Sequence, residues 1–228
     1  MTELAYKSLQ DRTIEHHSFG SGKLSVLAIG GVHGNESEGF LFLERFMDEL
    51  TKGNINLDSG ITLHICPRIN PDGCAVLRRT NQNNVDLNRN LPTKDWSGEF
   101  TDVRYFPGKS AGSEVESEIT IDLIQKTDPS LIISMHSYEK AMVNYNGDCE
   151  NLANAMGKKN GLVAKGDIGY PTPGSLGTYT GWERNLPTIT LEILRGQEPG
   201  PVWDQHLDGF MDAVHFYLKN PLPERKNP

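Results

Sequence analysis

Four side chains that can bind a metal ion or exchange a proton lie within or just after short apolar runs. His33 and Glu36 are three residues apart in the segment GGVHGNESEG, which follows the first of these runs. His136 follows a second run, and Glu192 lies within a third. Two histidines and one carboxylate with an open fourth position are typical of hydrolytic zinc sites, in which the metal lowers the pKa of bound water to about 7. A further carboxylate, Glu192, is suited to accept the proton of the attacking water.

The elements that position these residues alternate between strands and helices. Apolar and β-branched runs predict strands over 24–29, 61–66, 131–135 and 188–193. Helices are predicted over 39–50, 113–125, 150–159 and 202–218, the second of them beginning at a capping box of Ser113 and Glu116. This order predicts an α/β fold, a single domain over residues 1–228 whose mixed, mostly parallel sheet is flanked by helices on both faces. Active sites of open α/β folds lie at the carboxyl ends of the strands.

Composition restricts the partners and the compartment. The chain of 228 residues carries 22 basic and 30 acidic side chains, which argues against a nucleic-acid partner. The first residues lack the apolar core of a secretory signal, and no apolar run approaches the roughly 20 residues that span a bilayer. The three cysteines are scattered, unlike a disulfide framework. We therefore expect a cytoplasmic protein with no membrane partner.

Residues 70–90 are polar and rich in asparagine, with little apolar periodicity, and are predicted to form a long loop. Loops of this length are uncommon unless they are functional. The segment contains Arg79, Asn88 and Arg89. Arginine can hold a carboxylate through two parallel hydrogen bonds, and a neighbouring amide adds a further donor. Together with a zinc site, these residues indicate cleavage of an amide bond next to a free carboxyl terminus.

Five segments, taken in order along the chain, resemble the zinc carboxypeptidase family of the carboxypeptidase A type. They are HGNE at 33–36, NPDG at 70–73, RTNQNNVDLNRN at 79–90, MHS at 135–137 and TLE at 190–192. The resemblance implies an α/β/α sandwich that binds one zinc ion. Within the family, YPTPGSLGTY at 170–179 and SEVE at 113–116 are most similar to the murein peptide amidases. That branch cleaves the γ-D-glutamyl–meso-diaminopimelate bond of murein tripeptide in cytoplasmic peptidoglycan recycling, so the resemblance implies a small peptide substrate and a homodimer.

The resemblance assigns roles to the residues around the metal. His33, Glu36 and His136 would bind the zinc ion. Asp86 would orient His33 and determine which ring nitrogen meets the metal. Glu192 would take the proton of the attacking water and later pass it to the leaving amine.

Further residues would contact the substrate by the same resemblance. Arg79 would polarise the scissile carbonyl and stabilise the oxyanion. Asn88 and Arg89 would hold the free carboxylate of the leaving residue.

The resemblance also implies a backbone contact to the substrate and a tyrosine that covers it. Ser137, beside the second histidine, would offer backbone contacts to the substrate. The mobile tyrosine that closes over the substrate in this family would be Tyr179, with Tyr170 as the alternative in the same Gly/Pro-rich segment.

Other functions remain open at this point. A deacylase of the succinylglutamate desuccinylase/aspartoacylase type shares the HGNE segment, whereas NPDG followed by Arg79 favours a peptidase. A general metallocarboxypeptidase acting on basic or aromatic residues would be expected to be exported. A zinc- or peptide-binding protein without catalysis is disfavoured because Glu192 and Arg79 are present together with the three ligands.

Overall fold

A single mixed sheet of eight strands organises the structure, a computed structural model that describes residues 2–226. The strands are Thr2–Lys7 (β1), Thr13–Gly20 (β2), Leu24–Ile29 (β3), Ile61–Cys66 (β4), Leu131–Tyr138 (β5), Met142–Asn146 (β6), Ala164–Lys165 (β7) and Thr188–Leu194 (β8). Their order across the sheet is β1-β2-β4-β3-β5-β8-β6-β7. The four central strands, β4, β3, β5 and β8, are parallel, so their carboxyl ends meet at one edge.

The helices lie between these strands in the chain. Over residues 2–226 they are Ser37–Lys52 (α1), Pro71–Ala75 (α2), Val115–Thr127 (α3), Glu150–Asn160 (α4) and Pro199–His215 (α5). Shorter 3-10 turns occur at Leu87–Arg89, Val103–Tyr105 and Phe216–Leu218, and a π-helical turn at Gly177–Trp182. The predicted loop over residues 70–90 therefore contains α2 and the first 3-10 turn. In the described part of the chain, none of the helices has the length and apolar character needed to cross a bilayer.

Hydrophobic side chains pack against both faces of the sheet. In β3, Val26 and Ala28 belong to one buried cluster, while Leu27 and Ile29 belong to a second. This division follows from the alternation of side chains along a strand. The first cluster includes side chains of α1, α4 and α5, and the second includes side chains of α3. The predicted α/β fold, with a mostly parallel sheet between helices, is thus confirmed.

Strands β1, β2, β6 and β7 were not predicted, and β5 is longer than predicted. The hairpin of β1 and β2 was not predicted, because the β2 sequence TIEHHSFG has no apolar run, although it pairs with β4. Strand β5 continues through His136 to Tyr138 instead of ending at Met135, since this segment pairs in parallel with β8. His136 therefore lies inside a strand, directly opposite Glu192.

The predicted capping box at the start of α3 is wrong. The helix begins at Val115, and the Oγ of Ser113 donates to Glu114 Oε1 at 2.7 Å instead of capping the helix. The carboxylate of Glu116 is buried and accepts a hydrogen bond from Asn81 Nδ2 at 3.0 Å. Glu116 therefore forms a hydrogen bond to the asparagine-rich segment and not the predicted one at the start of the helix.

The turn after β3, which carries His33, packs directly on the backbone of α2. A Cβ atom on Gly34 would lie 2.0 Å from the carbonyl carbon of Gly73 and 2.3 Å from the amide nitrogen of Cys74. Real side chains do not approach a backbone so closely, so residue 34 must be glycine for the two segments to stay in contact.

We predict that Gly34→Ala lowers the free energy of unfolding by about 1–3 kcal/mol, because the added methyl group pushes the turn away from α2. Urea denaturation measures the change. Gly200→Ala in α5 is the control, since a Cβ there would meet no atom within 4 Å; it should leave the stability unchanged or raise it by up to about 1 kcal/mol. Wild-type stability of Gly34→Ala would contradict the packing argument.

Candidate active site

The side chains of His33, Glu36 and His136 converge at the carboxyl edge of the central strands. His33 lies in the turn after β3, Glu36 immediately precedes α1, and His136 lies in β5. Glu36 Oε1 is 3.0 Å from His33 Nδ1, and Glu36 Oε2 is 2.9 Å from His136 Nδ1. The two Nδ1 atoms are 3.2 Å apart, and all three residues are buried. These atoms are close enough to one another to bind a single metal ion.

The outer nitrogen of each histidine ring also has a partner. His33 Nε2 lies 2.9 Å from Asp86 Oδ1, and His136 Nε2 lies 3.0 Å from Ser134 Oγ. Because an ionised carboxylate can only accept, Asp86 keeps a proton of His33 on Nε2, which leaves Nδ1 as the ring nitrogen that can bind a metal ion. Two imidazole nitrogens and one carboxylate, oriented by outer partners, are a donor set that zinc fits.

Electrostatics keep the carboxylates of this cluster ionised. Burial alone would raise the pKa of Glu36, but His33 and His136 hold it well below its usual range. Burial likewise opposes ionisation of Asp86, and the neighbouring His33 and Arg79 lower its pKa despite that. Both acids are therefore negatively charged at neutral pH.

The pKa of Glu192 is shifted in the opposite direction. Its side chain is buried on β8, across from His136 in the neighbouring strand. Burial and then the charge of Glu36 raise the pKa of Glu192 to about 7, against the opposing effects of His136 and Arg79. A carboxyl group with such a pKa can both accept and release a proton near neutral pH.

Arg79 links the histidine cluster to the asparagine-rich segment. Its Nη2 and Nε atoms donate to Asp86 Oδ2 at 2.8 and 3.1 Å, and its Nη1 atom donates to Glu36 Oε1 at 3.4 Å. The guanidinium carbon lies 5.3 Å from the ring centroid of Tyr105. These contacts place a fixed positive charge beside the candidate metal ligands.

Asn88 and Arg89 lie on the 3-10 turn that follows Asp86. The backbone N–H of Asn88 donates to Asp86 Oδ1 at 3.0 Å, and Asn88 Oδ1 accepts from the backbone of Leu176 at 2.9 Å. Arg89 Nη1 donates to the carbonyl of Asn88 at 2.7 Å. The guanidinium carbon of Arg89 is 6.0 Å from the ring centroid of Tyr170. The amide and the guanidinium are thus adjacent and held by the same turn.

One cavity of about 390 Å³ connects these groups. It is lined by His33, Asn35, Glu36, Arg79, Asn88, Arg89, Arg104, Tyr105, His136, Ser137, Tyr138, Glu139, Ile168, Tyr170, Thr172, Glu192 and Arg195. The predicted ligands, Glu192, and the predicted substrate-binding arginines therefore share one space. Asp86 lies behind it, fully buried.

One predicted substrate contact does not match its position. Tyr179 does not line the cavity in the described structure; it is buried in the second hydrophobic cluster, with the guanidinium carbon of Arg184 3.7 Å from its ring centroid. Tyr170 lines the cavity instead. Ser137 is at the cavity wall, but its backbone N–H donates to Glu36 Oε2 at 3.2 Å, which removes that donor from substrate binding.

Three residues of the site were not identified from the sequence. Ser134 contacts His136, Tyr105 lies near the guanidinium of Arg79, and Arg195 donates to Glu36 Oε1 at 2.8 Å. The sequence did offer one indication that Arg195 belongs to the site, because it comes three residues after Glu192, just beyond β8.

Comparison with known proteins agrees with this geometry. A family model described as zinc carboxypeptidase matches residues 5–175 of the chain. The chain belongs to the zinc carboxypeptidase family. Members are zinc metallopeptidases, so the protein is a hydrolase of this class.

The curated members that the chain resembles include murein peptide amidases. Murein peptide amidase A of Vibrio campbellii is 31% identical over 196 residues, covering 81% of this chain and 75% of the relative. The Escherichia coli K12 enzyme of the same name is 31% identical over 180 residues, covering 74% and 71%.

Solved structures of the family share the fold. Murein-tripeptide amidase MpaA from Escherichia coli O157 matches with a TM-score of 0.77 at 25% identity, covering 94% of this chain and 91% of that chain. Carboxypeptidase A from Helicoverpa armigera matches with a TM-score of 0.76 at 18% identity, covering 96% and 70%, which shows the common fold.

We predict that Asp86→Asn weakens zinc binding by about 10- to 100-fold, because His33 loses the acceptor that keeps its Nδ1 lone pair free. Competition with a chromogenic chelator measures the affinity. Asp122→Asn removes a half-buried carboxylate on α3 that is paired with Lys126, and should leave the affinity unchanged. Wild-type affinity in Asp86→Asn would show that this carboxylate does not orient the ligand.

Proposed function

We propose that the protein is a zinc-dependent amidase that cleaves the γ-D-glutamyl–meso-diaminopimelate bond of murein tripeptide, with one catalytic domain over residues 1–228. The proposal rests on one cavity. It joins the three candidate metal ligands, His33, Glu36 and His136, to Glu192 and to the neighbouring side chains of Asn88 and Arg89. The similarity to murein peptide amidases supports this choice of substrate. By the same similarity we propose a cytoplasmic role in peptidoglycan recycling, and a homodimer.

The buried histidines and Glu36 would hold the metal ion. When bound, zinc supplies a Lewis acid that polarises the scissile carbonyl and lowers the pKa of a water molecule to about 7. The protein contributes ligand orientation through Asp86 and Ser134, which hold the outer nitrogens of the two imidazole rings.

Glu192 would act as the proton carrier of the reaction. As the carboxylate it accepts a proton from the attacking water, and as the acid it donates that proton to the amine of the leaving residue. Burial raises the pKa of Glu192 above the usual range of a carboxyl group, which favours its return of the proton to the amine.

The arginines would bind and stabilise negative charge on the substrate. Arg79, held by Asp86, would stabilise the oxyanion that develops on the scissile carbonyl. Asn88 and Arg89, on the adjacent 3-10 turn, would hold the free carboxylate of the leaving diaminopimelate. Tyr170, whose ring lies near Arg89, replaces Tyr179 as the aromatic residue proposed to contact the substrate.

We predict that the zinc-loaded protein releases diaminopimelate from L-Ala-γ-D-Glu-meso-diaminopimelate and leaves two other substrates intact. These are a peptide with a C-terminal Lys or Phe, and an N-acyl-aspartate. Chromatographic detection of the free amino acids measures all three reactions in parallel. Cleavage of the acyl-aspartate alone would indicate a deacylase, and cleavage of the Lys or Phe peptide alone a general carboxypeptidase; either result contradicts the proposal.

We predict that Glu192→Gln lowers kcat/KM for the tripeptide by about 10²- to 10⁴-fold while zinc stoichiometry is retained, because the amide cannot accept the proton. In the wild-type protein, kcat/KM should fall as the pH is lowered through the pKa of Glu192. The control is Glu198→Gln, which changes an exposed carboxylate just before α5. This variant should keep the wild-type kcat/KM. Normal turnover by zinc-loaded Glu192→Gln would exclude Glu192 as the base.

A further inference from the structure

Arg195 is a cationic residue of the cavity that the proposed reaction does not use. It follows β8 and its side chain is 38% exposed, although its partner Glu36 is buried. Arg195 Nη2 donates to Glu36 Oε1 at 2.8 Å and to the carbonyl of Ser137 at 2.6 Å. Its backbone N–H donates to the carbonyl of Tyr138 at 3.0 Å, which attaches the residue to the end of β5.

Arg195 and Arg89 line the same cavity but are held by different segments of the chain. Arg89 is held by the 3-10 turn after Asp86, whereas Arg195 contacts the ends of β5 and β8. Arg79 and Arg195 both donate to Glu36 Oε1. Guanidinium groups therefore approach the candidate metal ligands from two separate segments of the chain.

The guanidinium of Arg195 has unused hydrogen-bonding capacity. Its Nη2 atom has two acceptors and its Nε atom has a long contact of 3.5 Å to Ser137 Oγ. Among residues 2–226, no acceptor lies within hydrogen-bond distance of its Nη1 atom. Since an arginine offers five N–H donors in a planar fork, Arg195 can bind a carboxylate while it keeps its contact with the protein.

We propose that Arg195 binds the free α-carboxylate of the γ-linked glutamyl residue on the acyl side of the scissile bond. The inference rests on the proposed function. A γ-linked glutamyl residue carries a carboxylate that an ordinary α-linked peptide lacks. The carboxylate of the leaving residue is assigned to Asn88 and Arg89 on a different segment, which leaves Arg195 available for the acyl-side carboxylate. Arg195 is then a specificity-determining residue for γ-glutamyl substrates.

The test compares two tripeptides that differ in one group. The first is L-Ala-γ-D-Glu-meso-diaminopimelate, and in the second the α-carboxylate of the glutamyl residue is a carboxamide. The zinc-loaded wild-type protein should cleave the first with a kcat/KM about 10- to 100-fold higher, because the carboxamide cannot form the charge-assisted pair. Arg195→Gln should reduce this ratio to about 3-fold or less, mainly by loss of activity on the first peptide, and Arg195→Lys should restore part of it.

Control measurements separate binding of the substrate from effects on Glu36. Arg45→Gln, an exposed arginine on α1, should keep the wild-type ratio. Zinc stoichiometry and thermal unfolding of Arg195→Gln establish that the variant is folded and loaded. An equal loss on both peptides would show that Arg195 acts only through Glu36, and an unchanged ratio would show that it does not contact the carboxylate; either result overturns the inference alone. Failure of the wild-type protein to cleave either peptide would overturn the proposed function and the inference with it.

Discussion

The site depends on the charges and hydrogen-bond donors that surround the buried carboxylate of Glu36. A carboxylate removed from water is costly unless it is paired and hydrogen-bonded, so the fold must bring positive charge or hydrogen-bond donors to it. Glu36 is 3% exposed and has His33, His136, Arg79 and Arg195 as partners, each from a different segment. Its place just before α1 adds the favourable end of the helix dipole. The parallel centre of the sheet makes this convergence possible, since β3, β5 and β8 end at one edge.

A second buried carboxylate connects the metal-binding and substrate-binding parts of the site. One oxygen of Asp86 contacts His33 Nε2 and the backbone of Asn88, and the other accepts two donors of Arg79. The same residue therefore orients a candidate zinc ligand, the proposed oxyanion-stabilising group and the turn that carries Arg89. This shared support explains how an irregular, asparagine-rich segment can hold catalytic groups in fixed positions, because its polar side chains satisfy its own backbone.

The sequence was most informative where strands are apolar and where motifs are spaced in a known order. It predicted the central strands, the long helices and part of the cavity lining, namely the three candidate ligands together with Glu192, Arg79, Asn88 and Arg89. It failed where long-range contacts decide the structure. The polar β2 strand is stabilised by pairing with β4, and Glu116 pairs with Asn81 instead of capping a helix. The sequence pattern could not show that Tyr179 lies in the core and Arg195 at the cavity, because packing determines both positions.

Anomalous diffraction at the zinc absorption edge, from crystals of the zinc-loaded protein, would locate the metal ion and identify its ligands. The account predicts one zinc ion bound by His33 Nδ1, His136 Nδ1 and a carboxylate oxygen of Glu36, at distances of about 2.0–2.2 Å. The pair of His16 in β2 and His64 in β4, whose ring nitrogens are 3.1 Å apart, should bind none. Zinc at that pair, with no peak between His33, Glu36 and His136, would contradict the account.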